Sequence, residues 1–176
     1  MRLAEVRYLG EMSDLMEYSA GMKKQFTATG YVVNEDRTRM LMIFHKTLRC
    51  WLPPGGHVDP DEYPGDAAVR EVFEETGVHA RHAGAHTMAL TLDDPTEVQL
   101  PTPFAMSAQL IPESHKDVEH IHMDAMYLLV AEDDAELIVL ESEVQDVRWF
   151  TKNEVLQQAE TKDSVRTFAQ KQLIEA

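Results

Sequence analysis

Residues 50–78 constrain the fold more than any other part of this chain, because a loop rich in proline, glycine and aspartate leads directly into one amphipathic helix. The loop, CWLPPGGHVDPDEYPGD over residues 50–66, has a composition that predicts a long ordered loop rather than a strand. Pro64 suits the first helical turn, where a missing N–H costs nothing, and Gly77 is a typical helix end. The sequence therefore predicts a helix that ends at about Thr76.

Three glutamates lie on one face of this predicted helix, at spacings of three and four residues: Glu71, Glu74 and Glu75. Like charges at these spacings repel, and each such pair costs roughly 0.2–0.5 kcal/mol. At about 100° per residue, the less polar side chains fall together on the opposite face: Val69, Val72, Phe73 and Thr76. By periodicity alone this is an ordinary surface helix with a solvated acidic face.

Two neighbouring features favour a bound cation instead. Ala67 and Ala68 lie toward the acidic side, where small residues allow another backbone to come close. The loop also contains Gly55 and Gly56, and paired glycines are used where the backbone bends sharply or exposes its carbonyl groups. Carboxylates together with a backbone carbonyl make an all-oxygen environment, which suits Mg²⁺ or Mn²⁺.

The segment GHVDPDEYPGDAAVREVFEETGV, residues 56–78, resembles the signature of the Nudix (MutT-like) hydrolases, G-x5-E-x7-R-E-U-x-E-E-x-G-U with U aliphatic. Every specified position is matched: Gly56, Glu62, Arg70, Glu71, Val72, Glu74, Glu75, Gly77 and Val78. The stretches KTLRCWLPPGG and VQDVRWFTKNEV also resemble family segments. The resemblance covers about residues 25–160.

The resemblance implies an α+β fold of the α/β/α sandwich type, in which a mixed β-sheet lies between helices and the catalytic loop–helix–loop spans residues 55–78. It implies an enzyme that hydrolyses a phosphoanhydride in a nucleoside diphosphate linked to another moiety, by attack of water on phosphorus. It assigns the metal ligands as Glu71, Glu74 and Glu75 with the backbone carbonyl of Gly55 or Gly56. Glu62 is implied as a helper carboxylate, and Arg70 as the residue that orients the glutamates by ion pairing.

The charge of the chain agrees with a metal-dependent reaction. The formal net charge is −15, so the surface repels a phosphate backbone and argues against nonspecific nucleic-acid binding. A protein this acidic holds an anionic diphosphate poorly without cations, and bound Mg²⁺ or Mn²⁺ would neutralise the phosphate oxygens and lower the pKa of a coordinated water. The expected partner is therefore a small nucleotide-type diphosphate, not a nucleic acid.

A non-catalytic Nudix-fold module that senses a nucleotide or a nucleotide sugar is the alternative function. Such modules usually show erosion of the signature glutamates, and here none is eroded. The sequence does not name the substrate: nucleoside triphosphates, ADP-ribose, dinucleoside polyphosphates and nucleotide sugars all stay open. A homodimer, common in the family, also stays open.

Residues outside the signature are also candidates for substrate binding. The stretch EHIHMD places His120, His122 and Asp124 at period two, so on a strand all three side chains share one face. They would line the substrate pocket, hold a separate metal, or form a polar strand face bonded to neighbouring loops. Three further candidates precede or follow the glycine pair, each of them equally compatible with a surface or loop role: Lys46, Arg49 and His57.

The rest of the chain reads as one domain, residues 25–176, behind a polar leader, residues 1–24, with a short helix around Glu11–Met22. A β-hairpin is expected at residues 26–34 and 40–46. Further strands are expected at residues 86–92, 104–111, 120–131 and 144–150. Helices are expected at residues 151–160, with Thr151 as N-cap, and 163–176, with Val165, Phe168 and Leu173 buried.

The sequence also suggests a compartment. Cys50 is the only cysteine, which rules out an internal disulfide and suits a reducing environment. No apolar run approaches the length of a membrane span, and the first residues lack the apolar stretch of a signal peptide. We therefore expect a cytoplasmic protein without a membrane partner.

Overall fold

The structure, a computed structural model, describes residues 12–84, 90–114, 117–132, 136–139 and 144–175. The helices are α1 Met12–Tyr18, α2 Pro64–Thr76, α3 Lys152–Gln157 and α4 Asp163–Gln172. The strands are β1 Lys24–Asn34, β2 Arg39–His45, β3 Cys50–Leu52, β4 Gly55–His57, β5 Arg81–His82, β6 Ala105–Ile111, β7 His120–Ala131 and β8 Val144–Thr151. None of the helices in these ranges has the length and apolar content needed to cross a membrane.

Local sequence signals place the ends of the helices. Helix α2 starts at Pro64, and the left-handed φ of 72° at Gly77 ends it, with the N–H of Gly77 donating to the carbonyl of Phe73. Helix α3 starts from Thr151, whose side chain accepts from the backbone N–H of Glu154 in a capping box. The predicted ends of α2 and the predicted start of α3 are therefore confirmed. The other two C-terminal boundaries are wrong, because α3 ends at Gln157 rather than at residue 160 and α4 ends at Gln172 rather than at residue 176.

Three of the predicted elements differ from the structure. The loop over residues 50–66 contains the short strands β3 and β4, since β4 is held by pairing with β1 rather than by its own composition. Residues 90–92 of the expected strand 86–92 are irregular, and residues 86–89 lie outside the described part of the chain. In the leader, α1 is shorter than the expected helix around Glu11–Met22, and Gly21 follows with a φ of 81°.

The eight strands form one mixed sheet that divides into two branches, and we call the point of division the fork. Strand β1 pairs in parallel with β7 along its whole length, from Lys24 opposite Ile121 to Asn34 opposite Ala131. Its pairing with β2 is recorded at Val33 opposite Met40, and its earlier part pairs with β4 instead. Beyond the fork, β2 continues with β3 and β8, whereas β1 continues with β4 and β7.

The sheet lies between helices, which confirms the predicted α/β/α sandwich. Helix α2 covers one face, where its residues Ala68 and Val72 pack with Ala28, Val32 and Leu129 of the strands. Helices α3 and α4 cover the other face, where the buried side chains include those expected from the sequence: Val165, Phe168 and Leu173, together with Tyr31, Val33 and Phe150.

The buried face of α2 is rotated relative to the one that periodicity predicts. Ala67 and Ala68 are fully buried, whereas Phe73, expected to be buried, is 41% exposed. Glu75, expected on the solvated face, is only 7% exposed. The physical reason is close packing: the helix lies so near β1 that its small side chains, rather than its largest apolar one, face the sheet.

Gly30 of β1 permits this close approach. A Cβ atom at this position would lie 2.5 Å from Cγ2 of Val72, 2.9 Å from Cδ1 of Leu129 and 3.3 Å from the carbonyl oxygen of Ala68. The valine is β-branched and has little rotamer freedom in a helix, so it cannot easily give way.

Replacing Gly30 with alanine should therefore lower the free energy of unfolding by about 1–3 kcal/mol, the usual cost of overpacking a core. Urea unfolding measures this change. Gly84→Ala is the matched control, because no atom of the described residues lies within 4 Å of the added Cβ there. A Gly30→Ala protein as stable as the Gly84→Ala protein would show that α2 does not depend on this contact.

Candidate active site

The signature carboxylates gather around the guanidinium of Arg70, which has five N–H donors in a fixed plane. Nε and Nη2 donate to the two carboxylate oxygens of Glu62, each at 2.9 Å. Nη1 donates to Glu71 at 2.9 Å and to Glu74 at 2.8 Å, and Nη2 also donates to the backbone carbonyl of His57 at 2.9 Å. All five donors of Arg70 are thus used within the loop and the helix.

These contacts offset the repulsion between the glutamates. The bidentate pair with Arg70 holds the pKa of Glu62 below its usual range, and burial only partly opposes that shift. In turn, the hydrogen bonds that Arg70 donates to Glu62 come first among the causes that raise the pKa of Arg70, with Glu71 and Glu74 contributing further. The loop carboxylate and the guanidinium therefore stay charged across the physiological pH range.

Glu75 is held differently from the other glutamates. Its Oε2 accepts a hydrogen bond of 2.9 Å from the backbone N–H of Gly55, and its side chain is buried. Gly55 in turn lies opposite Thr29 in the pairing of β4 with β1. The rotation of α2 described above thus places one signature carboxylate directly against the glycine pair.

A side chain at either glycine of the pair would meet a close neighbour. A Cβ on Gly56 would come within 2.5 Å of the carboxylate carbon of Glu71. A Cβ on Gly55 would lie 2.6 Å from the carbonyl oxygen of Ala28 and 2.8 Å from Cα of Thr29. Glycine is therefore required at position 55, where backbone atoms of β1 block a Cβ, whereas a Cβ at position 56 would displace the carboxylate of Glu71.

The donor set agrees in its chemistry with a hard divalent cation, since it consists of carboxylates and backbone carbonyls. Its arrangement is not that of a closed metal site: within the described ranges, no group of three or more acidic, histidine or cysteine side chains is positioned to hold a metal. Glu71 and Glu74 turn toward Arg70, and Glu75 turns toward Gly55. Binding of one cation by all three glutamates therefore requires side-chain rotation.

The His-x-His-x-Asp stretch forms part of β7, and its side chains share one face. Nδ1 of His120 lies 2.6 Å from the carbonyl oxygen of Val118, so it carries the proton. Its Nε2 lies 3.0 Å from Nε2 of His122, which must then be the donor when both rings are neutral. The ring of His57 stands edge-on to that of His122, with 4.8 Å between their centroids.

His122 is neutral at physiological pH. Burial is the main cause that lowers its pKa to about 4, and the neighbouring rings of His57 and His120 add to the shift. A neutral ring donates through one nitrogen and accepts through the other, so His122 offers no fixed charge to a ligand.

Asp124 is only 4% exposed and is held by two threonines of β1. Its Oδ1 accepts from the hydroxyl of Thr27 at 3.1 Å and from that of Thr29 at 2.8 Å. Burial raises the pKa of Asp124, and these two hydrogen bonds oppose the shift. Because Thr27 lies opposite His57 and Thr29 opposite Gly55, this polar group lies beside β4, on the sheet face away from α2.

The structure places the remaining candidates elsewhere. Lys46 and Arg49 are exposed on the turn between β2 and β3, where Arg49 has a φ of 56°, and neither is among the partners of Arg70. Sequence reasoning missed Thr27 and Thr29. Their signal was the alternation of small polar residues in the stretch FTATG, which places two hydroxyls on one strand face.

Comparison with known proteins agrees with this geometry. The sequence model of the NUDIX domain family matches residues 24–171 of this chain. The chain is 33% identical over 117 residues to a probable DHNTP pyrophosphohydrolase of Lactococcus lactis, covering 66% of this chain and 60% of that protein. It is 47% identical over 49 residues to a putative 8-oxo-dGTP diphosphatase of Bacillus subtilis, covering 28% of this chain and 32% of that protein. The chain thus spans less than two thirds of the length of these relatives.

Solved structures show the same fold at low sequence identity. A NUDIX-family hydrolase from Clostridium perfringens superimposes with a TM-score of 0.66 at 20% identity, covering 85% of this chain and 96% of that one. A Caenorhabditis elegans Ap4A hydrolase, solved as a binary complex, gives a TM-score of 0.57 at 16% identity and covers 84% and 93% of the two chains. With a complete signature, a matching fold and a family model that extends over most of its length, this chain belongs to the Nudix hydrolase family.

Proposed function

We propose that this protein hydrolyses a phosphoanhydride bond in a nucleoside diphosphate linked to another moiety, by attack of water on phosphorus and with Mg²⁺ or Mn²⁺. The observation that carries the proposal is the arrangement around Arg70, which holds carboxylates of the loop and of α2 side by side. A solvated acidic face would need neither this organising cation nor the glycine pair that clears space for it.

The proposed metal ligands are Glu71, Glu74 and Glu75, with the backbone carbonyl of Gly55 or Gly56. A divalent cation bound there would neutralise the phosphate oxygens and acidify a coordinated water. The protein positions these carboxylate ligands through the glycine pair. The N–H of Gly55 orients the carboxylate of Glu75, and the absence of a side chain on Gly56 leaves room for that of Glu71.

Arg70 and Glu62 are proposed as positioning residues. Because every donor of Arg70 is already used, binding a phosphate would cost it a contact with a carboxylate or with His57. Glu62 fixes the plane of the guanidinium by its bidentate pair, and that plane sets where Glu71 and Glu74 point.

The substrate-binding residues are proposed on the opposite face of the sheet. His57, His122 and Asp124 lie beside β4 there, and His120 supports His122 through the contact between their Nε2 atoms. This placement supports a role in binding the part of the substrate that is not cut. Lys46 and Arg49 are proposed only as outer contacts for phosphate, since they lie on an exposed turn.

We also propose that residues 25–176 act as one domain behind the leader of residues 1–24. The packing of α4 against the sheet supports this division. The leader is joined to the segment before β7 by a hydrogen bond of 2.7 Å from Tyr18 to Glu119, and Lys23, at its boundary with β1, pairs with Asp117 at 2.6 Å.

A substrate panel tests the reaction. Its members are compounds in the names of relatives and related structures: dihydroneopterin triphosphate, 8-oxo-dGTP, Ap4A and ADP-ribose. Assays with Mg²⁺ and with Mn²⁺ in ¹⁸O-labelled water should release a phosphate product that carries the label, because water attacks phosphorus. If none of the four is hydrolysed with either metal, the alternative of a nucleotide-sensing module gains support.

Replacing Glu75 with glutamine should separate catalysis from folding. A glutamine oxygen can still accept from the N–H of Gly55, so the free energy of unfolding should change by less than about 1 kcal/mol. Loss of the charge should lower kcat by about 100-fold or more and weaken Mn²⁺ binding, measured by titration. Glu97→Gln, at an exposed residue, is the control. Wild-type turnover and Mn²⁺ affinity in the Glu75→Gln protein would refute the assignment.

Replacing Glu62 with glutamine should destabilise the protein in a pH-dependent way. The folded pKa of Glu62 is depressed, so its contribution is present above the unfolded pKa of about 4.3 and is lost as the pH falls through the folded value. Urea unfolding should show a deficit of about 1 kcal/mol at pH 7 that narrows below pH 4.

Glu35→Gln is the control for this experiment, because Glu35 also pairs with an arginine but both side chains are mostly exposed. Its effect should stay within about 0.5 kcal/mol. A Glu62→Gln deficit that is equally small at pH 7, or that persists unchanged at low pH, would show that the pair with Arg70 does not stabilise the fold.

A further inference from the structure

Residues 158–162, between α3 and α4, bridge the two branches of the sheet. At one end, the N–H of Trp51 in β3 donates to the carbonyl of Glu160 at 2.8 Å, and the hydroxyl of Thr161 donates to the carbonyl of Trp51 at 2.6 Å. At the other end, Nζ of Lys162 donates to Oε1 of Gln109 in β6 at 3.2 Å. Strand β3 belongs to the β2 branch and β6 to the β7 branch, so the segment crosses the opening beyond the fork.

The two ends of this bridge differ in strength. The Trp51 end has two short hydrogen bonds that involve the backbone of Trp51, one with a backbone carbonyl and one with a hydroxyl, whereas the Lys162 end is a single exposed bond between an ammonium group and a neutral amide. Such a bond contributes little, because water replaces either partner readily. The ammonium of Lys162 can therefore leave Gln109 at low cost, while the backbone of the segment stays anchored.

Lys162 borders the polar face formed by His122 and Asp124. Gln109 lies directly opposite His122 in the pairing of β6 with β7, so both side chains point to the face that α4 covers. The charge of Lys162 also acts on the carboxyl of Asp124, whose pKa it lowers against the effect of burial. The ammonium of Lys162 thus lies at the edge of His122 and Asp124, which are the residues proposed to bind substrate.

The pairing register places this cation away from the scissile diphosphate. Gly55 lies opposite Thr29 of β1. Gln109 of β6 lies opposite His122 of β7, and His122 in turn lies opposite Gln25 of β1. Four residues of strand separate these levels, which is about 13 Å at 3.3 Å per residue. The ammonium in its contact with Gln109 is therefore aligned with a strand position remote from Gly55, which suits a contact with the far end of a substrate whose diphosphate lies between Gly55 and α2.

We propose that Lys162 is a specificity-determining residue that leaves Gln109 and binds an oxygen acceptor at the end of the substrate remote from the scissile bond. The inference rests on the proposed function of the site. A lysine ammonium is a compact, mobile cation with three donors, which suits either a ring carbonyl oxygen or an oxygen of a remote phosphate. Both groups are strong hydrogen-bond acceptors, and substrates that contain only one of them distinguish the two.

The test compares Lys162→Met with the wild-type protein on dGTP, dATP, ADP-ribose and Ap4A. Dissociation constants, measured calorimetrically with Ca²⁺, and the split of kcat from KM are the two readouts. Kd and KM should rise about tenfold for at least one ligand, with kcat within about twofold, since one charged hydrogen bond is lost from binding alone. A rise confined to dGTP identifies a ring carbonyl, and a rise for dATP or Ap4A identifies a phosphate. A rise confined to ADP-ribose, which has neither acceptor outside its diphosphate, contradicts the inference.

Three further variants make the test specific. Lys162→Arg should recover most of the affinity, because it keeps the charge and the donors. Gln109→Glu should raise Kd by holding Lys162 in an ion pair, and this effect should be smaller in a Lys162→Met background. Lys171→Met, at an exposed lysine near the far end of α4, is the matched control and should leave all constants unchanged.

Unchanged Kd values in a folded Lys162→Met protein overturn the inference, as does an equal loss in Lys171→Met, which would reflect net charge only. Failure of the wild-type protein to bind any of the four ligands overturns it as well. Because Kd is measured without turnover, a protein that binds in a Lys162-dependent way but hydrolyses nothing would refute the proposed hydrolysis and leave this inference intact.

Discussion

The contact between Arg70 and its carboxylates is the interaction on which the site depends. An acidic helix in a protein of net charge −15 has no reason to place three glutamates together, and each close pair opposes helix formation. The guanidinium reverses that balance, because one planar cation donates to Glu62, Glu71 and Glu74 at once. Its remaining bond, to the carbonyl of His57, ties the helix to β4. The order of the intervening loop follows from the same contacts, since Glu62 reaches Arg70 from that loop.

A second constraint, the absence of side chains at three glycines, determines where this helix lies. Gly30 lets α2 approach β1 until Val72 and Ala68 touch the strand, and that approach turns Glu75 inward. Gly55 and Gly56 let β4 insert beside β1 at the point where β1 has parted from β2. The burial of Glu75 therefore depends on the close approach of α2 at Gly30, whereas the insertion of β4 depends on the missing side chain at Gly55.

Local signals in the sequence predicted what local interactions decide. Pro64 and Gly77 give the ends of α2 because their own backbone preferences set them, and the period of the His-x-His-x-Asp stretch gives its shared face. Strand β4 escaped prediction because its composition, Gly-Gly-His, is that of a loop and only pairing with β1 makes it extended. Strand β3 escaped because its three apolar residues directly precede the prolines and glycines of that loop. The exposure of Phe73 and the burial of Glu75 were not predicted for a related reason. Periodicity predicts burial from the polarity of a side chain, whereas close packing on β1 buries the side chains that are small enough to fit. The alternation in FTATG places Thr27 and Thr29 on one strand face, but their contact with Asp124 follows only from the parallel register of β1 with β7.

The two faces of the sheet carry different kinds of chemistry, and this difference explains why the reaction class is readable from the sequence while the substrate is not. On the α2 face, the groups are charged and their spacing is fixed by helix geometry, so a short signature describes them fully. On the other face, the candidate groups are a neutral His122, a buried Asp124 and a lysine held by a neutral amide. They come from β7 and from the segment before α4, and only the topology of the sheet brings them together. Under the proposed function, a change of substrate requires changes on this second face alone, with Arg70 and its carboxylates left as they are.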